Sequence, residues 1–130
     1  MIDKYIPIRI KSPNKKEHHF KQYQRNKKEQ KLVALIMMPV ISCIKPPVLI
    51  TLIRVAPRHL DESDNLRMGF KAIKDCIAQL FFPDTKSGEA DDKECFTWFY
   101  AQEKGAPKEY AIRIQIQNSP TIIQKYPCTF

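Results

Sequence analysis

Three acidic side chains are gathered in the stretch "HLDESDN" at residues 59–65. Asp61, Glu62 and Asp64 lie within four residues, although the chain carries a formal net charge of +8. Like charges this close disfavour each other's ionisation, so the cluster calls for a compensating partner. A second acidic patch occupies residues 89–94.

Two explanations fit the first cluster. Glu62 and Asp64 stand two residues apart, so in an extended segment both side chains reach one centre. Carboxylates favour a hard cation, Mg²⁺ or Mn²⁺, which would polarise a phosphate and activate water for phosphodiester hydrolysis. Lys71 is then a candidate for stabilising negative charge at the phosphate. Helix capping explains Asp61 and Asp64 equally well, because acids are favoured at helix N-termini.

The excess positive charge is concentrated in the first third of the chain. Residues 1–45 hold eleven Lys or Arg and three Asp or Glu, whereas residues 46–130 hold eleven of each kind. At 100° per residue, four side chains fall on one side of a predicted basic helix: His18, Lys21, Arg25 and Lys28. A basic segment beside an acidic cluster suggests that one part holds a polyanion and another processes it. Solubility alone is the alternative.

The elements that must position these residues follow from hydrophobic periodicity. We expect strands at about 4–10, 48–55, 95–102 and 109–117, and helices at about 15–38 and 64–81. Pro39 is expected to end the first helix. The order β-α-β-α-β-β predicts a single-domain α/β (α+β) fold with a mixed sheet and two helices.

The second predicted helix carries a narrow apolar stripe: Leu66, Phe70, Ile73, Ile77 and Leu80. Continued over one helix, the period places Asp64, Lys71 and Asp75 together on the opposite face.

The β-branched run at 48–55 is typical of a central strand. In the last strand, strict alternation points Ile112, Ile114 and Ile116 inward, and we expect that strand to pair with the aromatic strand before it as an antiparallel hairpin. For the row Phe96, Trp98 and Tyr100, core or dimer packing is favoured over base stacking.

Cysteine spacing and hydropathy indicate the cellular compartment in which the protein is expected. Cys43, Cys76, Cys95 and Cys128 form no CxxC pair, so we expect reduced thiols. The first residues lack the apolar core of a signal peptide, and the longest apolar runs are too short to span a bilayer. These features favour a cytoplasmic protein without membrane contact.

Two segments together resemble the RusA-like family of Holliday junction resolvases. "SPNKKEHHFKQYQRNKKEQK" is similar to the family's N-terminal Ser-x-Asn start, followed by a His and an Arg/Lys-rich helix. "LDESDNLRMGFKAIKD" followed by "ADD" resembles its Asp-x-Asp-Asn core, Lys-Ala-x-x-Asp helix and later Asp pair. The resemblance covers residues 5–117 and defines a domain at 1–117 and a C-terminal tail at 118–130.

Carried over by position, the resemblance assigns site residues. Glu62 and Asp64 take the places of the first two acids, with Asp61 as an alternative first ligand, and Asp92 matches the later pair. Lys71 takes the place of the essential lysine if the helix carries three extra residues. The candidate DNA-binding set is Asn14, His18, Lys21, Arg25, Lys28 and Arg67.

The resemblance implies a Mg²⁺-dependent endodeoxyribonuclease, often prophage-borne, that acts in recombination and repair. A homodimer would nick two strands of a four-way DNA junction symmetrically. Three alternatives remain open: a catalytically weak DNA-binding module of the same fold, a nuclease for flaps or forks, and an assembly protein whose acids only cap a helix.

Overall fold

The computed structural model describes residues 1–10, 19–59, 63–85, 90 and 93–118; for residues 19 and 63–65 it describes the backbone only. The elements are β1 (Ile2–Ile6), α1 (His19–Ile41), β2 (Val48–Ala56), α2 (Ser63–Gly69), α3 (Lys71–Phe81), β3 (Phe96–Lys104) and β4 (Ala111–Asn118). They form a single α/β domain with a mixed four-stranded sheet, as predicted, but with three helices rather than two.

The strand order is β1-β4-β2-β3. The apolar strand β2 is central, as predicted, and pairs antiparallel with β4 and parallel with β3. The predicted hairpin is therefore wrong, because β2 lies between β3 and β4. Alternation along a strand determines which face of the sheet a side chain occupies, but it does not determine which strand lies next to it.

The connection from β3 to β4 crosses the carboxyl end of β2. The Gly105 N–H donates a 2.8 Å hydrogen bond to the Ala56 carbonyl, which fixes the crossing point. A Cβ at Gly105 would lie 2.9 Å from Glu109 Oε1 and 3.1 Å from Val55 Cγ1, so a side chain would force these neighbours apart. This close approach explains the glycine.

The main core joins the three helices to one face of the sheet. Ile112, Ile114 and Ile116 are fully buried there, as the alternation in β4 predicted. The predicted helical stripe is also confirmed, since Leu66, Phe70, Ile73 and Ile77 are buried and Leu80 packs partly buried against them. The opposite face carries a smaller cluster of Ile53, Val55 and Ala111.

Both predicted helices differ from the observed ones. The first continues through Pro39 to Ile41. Pro39 removes the donor for the Leu35 carbonyl, but Leu35 is exposed, so water can replace the lost bond. The second divides at Gly69 and Phe70 into α2 and α3, and glycine is a poor helix former. Because of this break, the helical period does not extend from Asp64 to Lys71. The prediction that both residues lie on one helix face therefore no longer holds.

Within the described residues, no helix has both the length and the hydropathy needed to cross a membrane.

Candidate nucleic-acid interface

The structure describes five of the predicted site residues with their side chains: Lys21, Arg25, Lys28, Arg67 and Lys71. Asp64 lies near the start of α2, where only the backbone is described. The other candidates fall outside the described residues: Asn14, His18, Asp61, Glu62 and Asp92.

The carboxylates predicted as metal ligands lie outside the side chains that the structure describes: Asp61, Glu62, Asp64 and Asp92. Among the described residues, no three His, Cys, Asp or Glu side chains converge as a metal site. A shared cation therefore stays a prediction from residue type.

A groove of about 440 Å³, here called the helix groove, runs between α1 and α3. Arg25 of α1 and Lys71 of α3 both line it, as do Lys27 and Asp75. Arg25 Nε lies 3.8 Å from Glu29 Oε1, one turn further along α1, so the two side chains form a loose ion pair at the groove.

The predicted basic residues of α1 differ in their position relative to the helix groove. Lys21 and Lys28 are exposed but do not line the helix groove, whereas Tyr23 and Lys27 do. The Lys27 Nζ lies 5.4 Å from the Tyr23 ring centroid, so a cation and an aromatic ring stand together at the rim. Of the three predicted α1 cations that are described, only Arg25 faces α3.

Hydrogen bonds between the two helices hold the helix groove in shape. Gln30 Nε2 donates a 2.9 Å bond to the Ala72 carbonyl. The Cys76 thiol donates to the Gln30 carbonyl across 3.4 Å. Burial raises the pKa of Cys76 to about 11, so this thiol stays protonated near neutral pH and is no nucleophile.

A second groove, about 450 Å³ and here called the ring groove, lies between the helices and β3. Its described lining is Arg67, Met68, Lys71, Lys74, Trp98 and Tyr100. Arg67 Cζ lies 5.7 Å from the Tyr100 ring centroid, and Lys74 Nζ lies 5.3 Å from the Trp98 centroid. The described lining thus holds three cations, two rings and no carboxylate.

The aromatic row has two roles in this arrangement. Phe96 is buried, and Trp98 and Tyr100 pack partly buried against the same core, which confirms the predicted core packing. Their remaining ring surface forms one wall of the ring groove. The sequence analysis missed Lys74, Trp98 and Tyr100 as site residues. The signal available was Lys71 and Lys74 three residues apart on a helix, and two rings two residues apart on a strand.

Lys71 and Met68 line both grooves, so the grooves adjoin at the start of α3. Lysine and arginine side chains suit phosphate, and exposed ring surface suits bases or sugars. The arrangement is therefore equipped to hold a nucleic-acid strand. Comparison of the chain with protein-family models, with curated proteins and with solved structures gave no match.

Proposed function

We propose that this protein is a Mg²⁺-dependent, structure-specific endodeoxyribonuclease that resolves four-way DNA junctions as a homodimer. The observation that carries the proposal is the position of Lys71. It stands where the two grooves adjoin, with Arg25 on one side and Arg67 and Lys74 on the other. Asp64 lies on the adjoining helix α2.

In this proposal the two grooves hold the phosphodiester backbone. Arg25 and Lys71 bind phosphates in the helix groove, and Arg67 and Lys74 bind them in the ring groove. Lys21 and Lys28, exposed on α1, contact flanking phosphates. Asn14 and His18, which precede the described part of the basic segment, are proposed to bind further phosphates.

The proposed metal ligands are carboxylates: Glu62 or Asp61, together with Asp64 and Asp92. An all-oxygen donor set fits Mg²⁺, with Mn²⁺ as a substitute. When bound, the ion supplies a polarised phosphate and a water of lowered pKa. Lys71 stabilises negative charge that develops on the phosphate oxygens.

The test is a cleavage assay on a synthetic four-way junction, a fork, a flap and a linear duplex, each with Mg²⁺ or Mn²⁺. We expect paired nicks in the junction alone. Asp64→Asn and Asp92→Asn should bind junctions without cutting them, and Lys71→Met should cut at least about 100-fold more slowly. Lys45→Met is the control, since Lys45 is exposed between α1 and β2. An intact junction after incubation with wild-type protein in both metals would refute the proposal.

A DNA-binding module without cleavage is the second candidate. The described cationic grooves favour it, because they supply binding without requiring a metal. Its signature is junction binding that weakens steeply with salt, together with no metal-dependent product. Replacing Arg67 and Lys74 together should then lower the slope of log K against log salt by about two.

The same assays separate the remaining alternatives. Preferred cutting of forks or flaps would identify a nuclease with another target. In an assembly protein Asp64 only caps α2; then Asp64→Ala costs about 0.5–2 kcal/mol of stability, and Mg²⁺ leaves the melting temperature unchanged.

A further inference from the structure

Arg54 is the one buried charged side chain among the described residues, with 8% of its surface exposed. It lies on β2, directly opposite Ile112 of β4 and Gln102 of β3, and so faces the helix side of the sheet. Its Nη1 donates to the Arg58 carbonyl at 2.6 Å and to Gln102 Oε1 at 3.3 Å. Its Nε is buried without a hydrogen-bond partner.

The strand register brings a second cation close to Arg54, because Tyr110 stands two residues before Ile112, the β4 residue opposite Arg54, and the Tyr110 ring carries Arg9. Burial lowers the pKa of Arg54, and the positive charge of Arg9 lowers it further, whereas Tyr110 acts in the opposite sense. Arg9 is exposed, with its Cζ 4.1 Å from the Tyr110 ring centroid. Among the described residues no carboxylate comes within ion-pair distance of Arg54. A buried cation beside a second cation is unfavourable unless an anion joins them.

A purely structural role explains only part of this arrangement. The bond from Arg54 to the Arg58 carbonyl holds the connector that follows β2. Only one nitrogen of the guanidinium, Nη1, makes this bond, and the positive charge of Arg9 does not strengthen it. A neutral side chain would hold the connector without the cost of a buried charge.

We propose that Arg54 and Arg9 form a binding site for a phosphate group at the carboxyl end of β2. Guanidinium groups present a planar fork that matches the oxygens of phosphate, and a partly buried fork binds more strongly than an exposed one. The Tyr110 ring holds Arg9 beside the site. The phosphate is either free or part of a phosphodiester, and the inference does not require that the protein cleaves DNA.

The inference is tested without metal, using inorganic phosphate and a dinucleotide phosphodiester as probes at constant ionic strength. We expect both probes to raise the melting temperature of the wild-type protein through preferential binding to the folded state. If only the dinucleotide does so, the site is specific for the esterified group; if only inorganic phosphate does so, it is specific for the free ion. Titration calorimetry of the responding probe should give an affinity for Arg54→Met at least about tenfold weaker.

Matched variants decide the interpretation. Arg113→Met makes the same change at an arginine of β4 that already has carboxylate partners, and it should keep the probe response. Arg9→Gln alters an exposed residue and should weaken the response even if Arg54→Met fails to fold. Asp64→Asn, which should abolish cleavage, should leave the response intact, so failure of this inference and failure of the nuclease proposal can be told apart.

Three results would overturn the inference. The first is a melting temperature that neither probe changes. The second is an equal response in Arg54→Met and wild type. The third is a response that appears only after Asp61→Asn and Glu62→Gln are combined, because the chain's own carboxylates would then occupy the site.

Discussion

Arg54 and Arg113 lie on adjacent strands at neighbouring positions but on opposite faces of the sheet. Arg113 Nη2 lies 2.6 Å from Asp3 Oδ2, and its Nη1 lies 2.5 Å from Glu103 Oε2. Arg54, on the helix side, has a carbonyl and an amide as partners instead. One face of the sheet therefore balances its arginine with carboxylates, whereas the other buries its arginine with no carboxylate partner among the described residues.

The same difference extends beyond the two arginines. On the face without helices, Gln115 also donates to Asp3, and the Tyr5 hydroxyl donates to Glu109 at 2.8 Å. On the helix side, the described lining of the ring groove has three cations and no acid. Basic side chains thus line the described ring groove on the helix side, which is where an anionic ligand would be stabilised.

The largest expected effect tests the packing of the two faces. Phe70 is fully buried, 6.2 Å from the Tyr100 ring, so Phe70→Ala should cost about 3–5 kcal/mol. Phe99 on the opposite face is 50% exposed, and Phe99→Ala should cost about 1 kcal/mol or less. Urea unfolding of the two variants measures the difference. Equal losses would mean that the second face is covered in solution.

A smaller effect tests the compensated arginine. Arg113→Met removes two exposed ion pairs, so the loss of stability should be far below that of Phe70→Ala. In about 1 M NaCl the screening length falls to about 3 Å, and most of the loss should disappear. Unfolding in low and high salt checks this expectation. A loss independent of salt would indicate that packing of the side chain, rather than its charge, matters at this position.

The smallest effect is a pH dependence on the same face. The hydrogen bond from Arg113 lowers the pKa of Asp3 below its ordinary 3.8. The stability that Asp3 contributes is therefore present above pH 3.8 and is lost as the pH falls through the lowered value. Unfolding midpoints of wild type and Asp3→Asn should differ at pH 6 and converge in acid. Asp84→Asn, in the exposed turn after α3, is the matched control variant.

Periodicity predicted the faces of the elements because burial repeats along each strand and helix. The inward isoleucines of β4 and the stripe from Leu66 to Ile77 follow directly from it. Strand neighbours could not be predicted. The strands β3 and β4 would bury the same residues whether they paired directly as a hairpin or lay on either side of β2. Gly69 was a visible sign of the break between α2 and α3, whereas α1 passes Pro39 because Leu35 is exposed and water can replace the hydrogen bond that its carbonyl loses.

The candidate site was predicted in part. Charge patterning identified Arg25, the chemistry of phosphodiester hydrolysis and the resemblance both indicated Lys71, and Arg67 belonged to the candidate DNA-binding set; the three line the two adjoining grooves. The sequence could not predict that Trp98 and Tyr100 lie beside these three residues, because only the tertiary fold brings β3 under α3. Arg54 stands inside the apolar run "VLITLIRV", and periodicity gives no indication that its charge is buried with no carboxylate partner in the described part of the chain.

The position of β4 between β1 and β2 has a consequence for folding. β1 pairs with β4 alone, and Arg113 meets Asp3 across 110 residues of chain. During synthesis β1 therefore stays without a partner until β4 has emerged, while β2 and β3 can already associate. Pairings between residues so far apart in sequence slow folding, because the chain loses entropy on closing the loop before any stabilising contact forms. The last strand formed thus completes the sheet, and β1, exposed longest, is the segment at greatest risk of pairing with another chain.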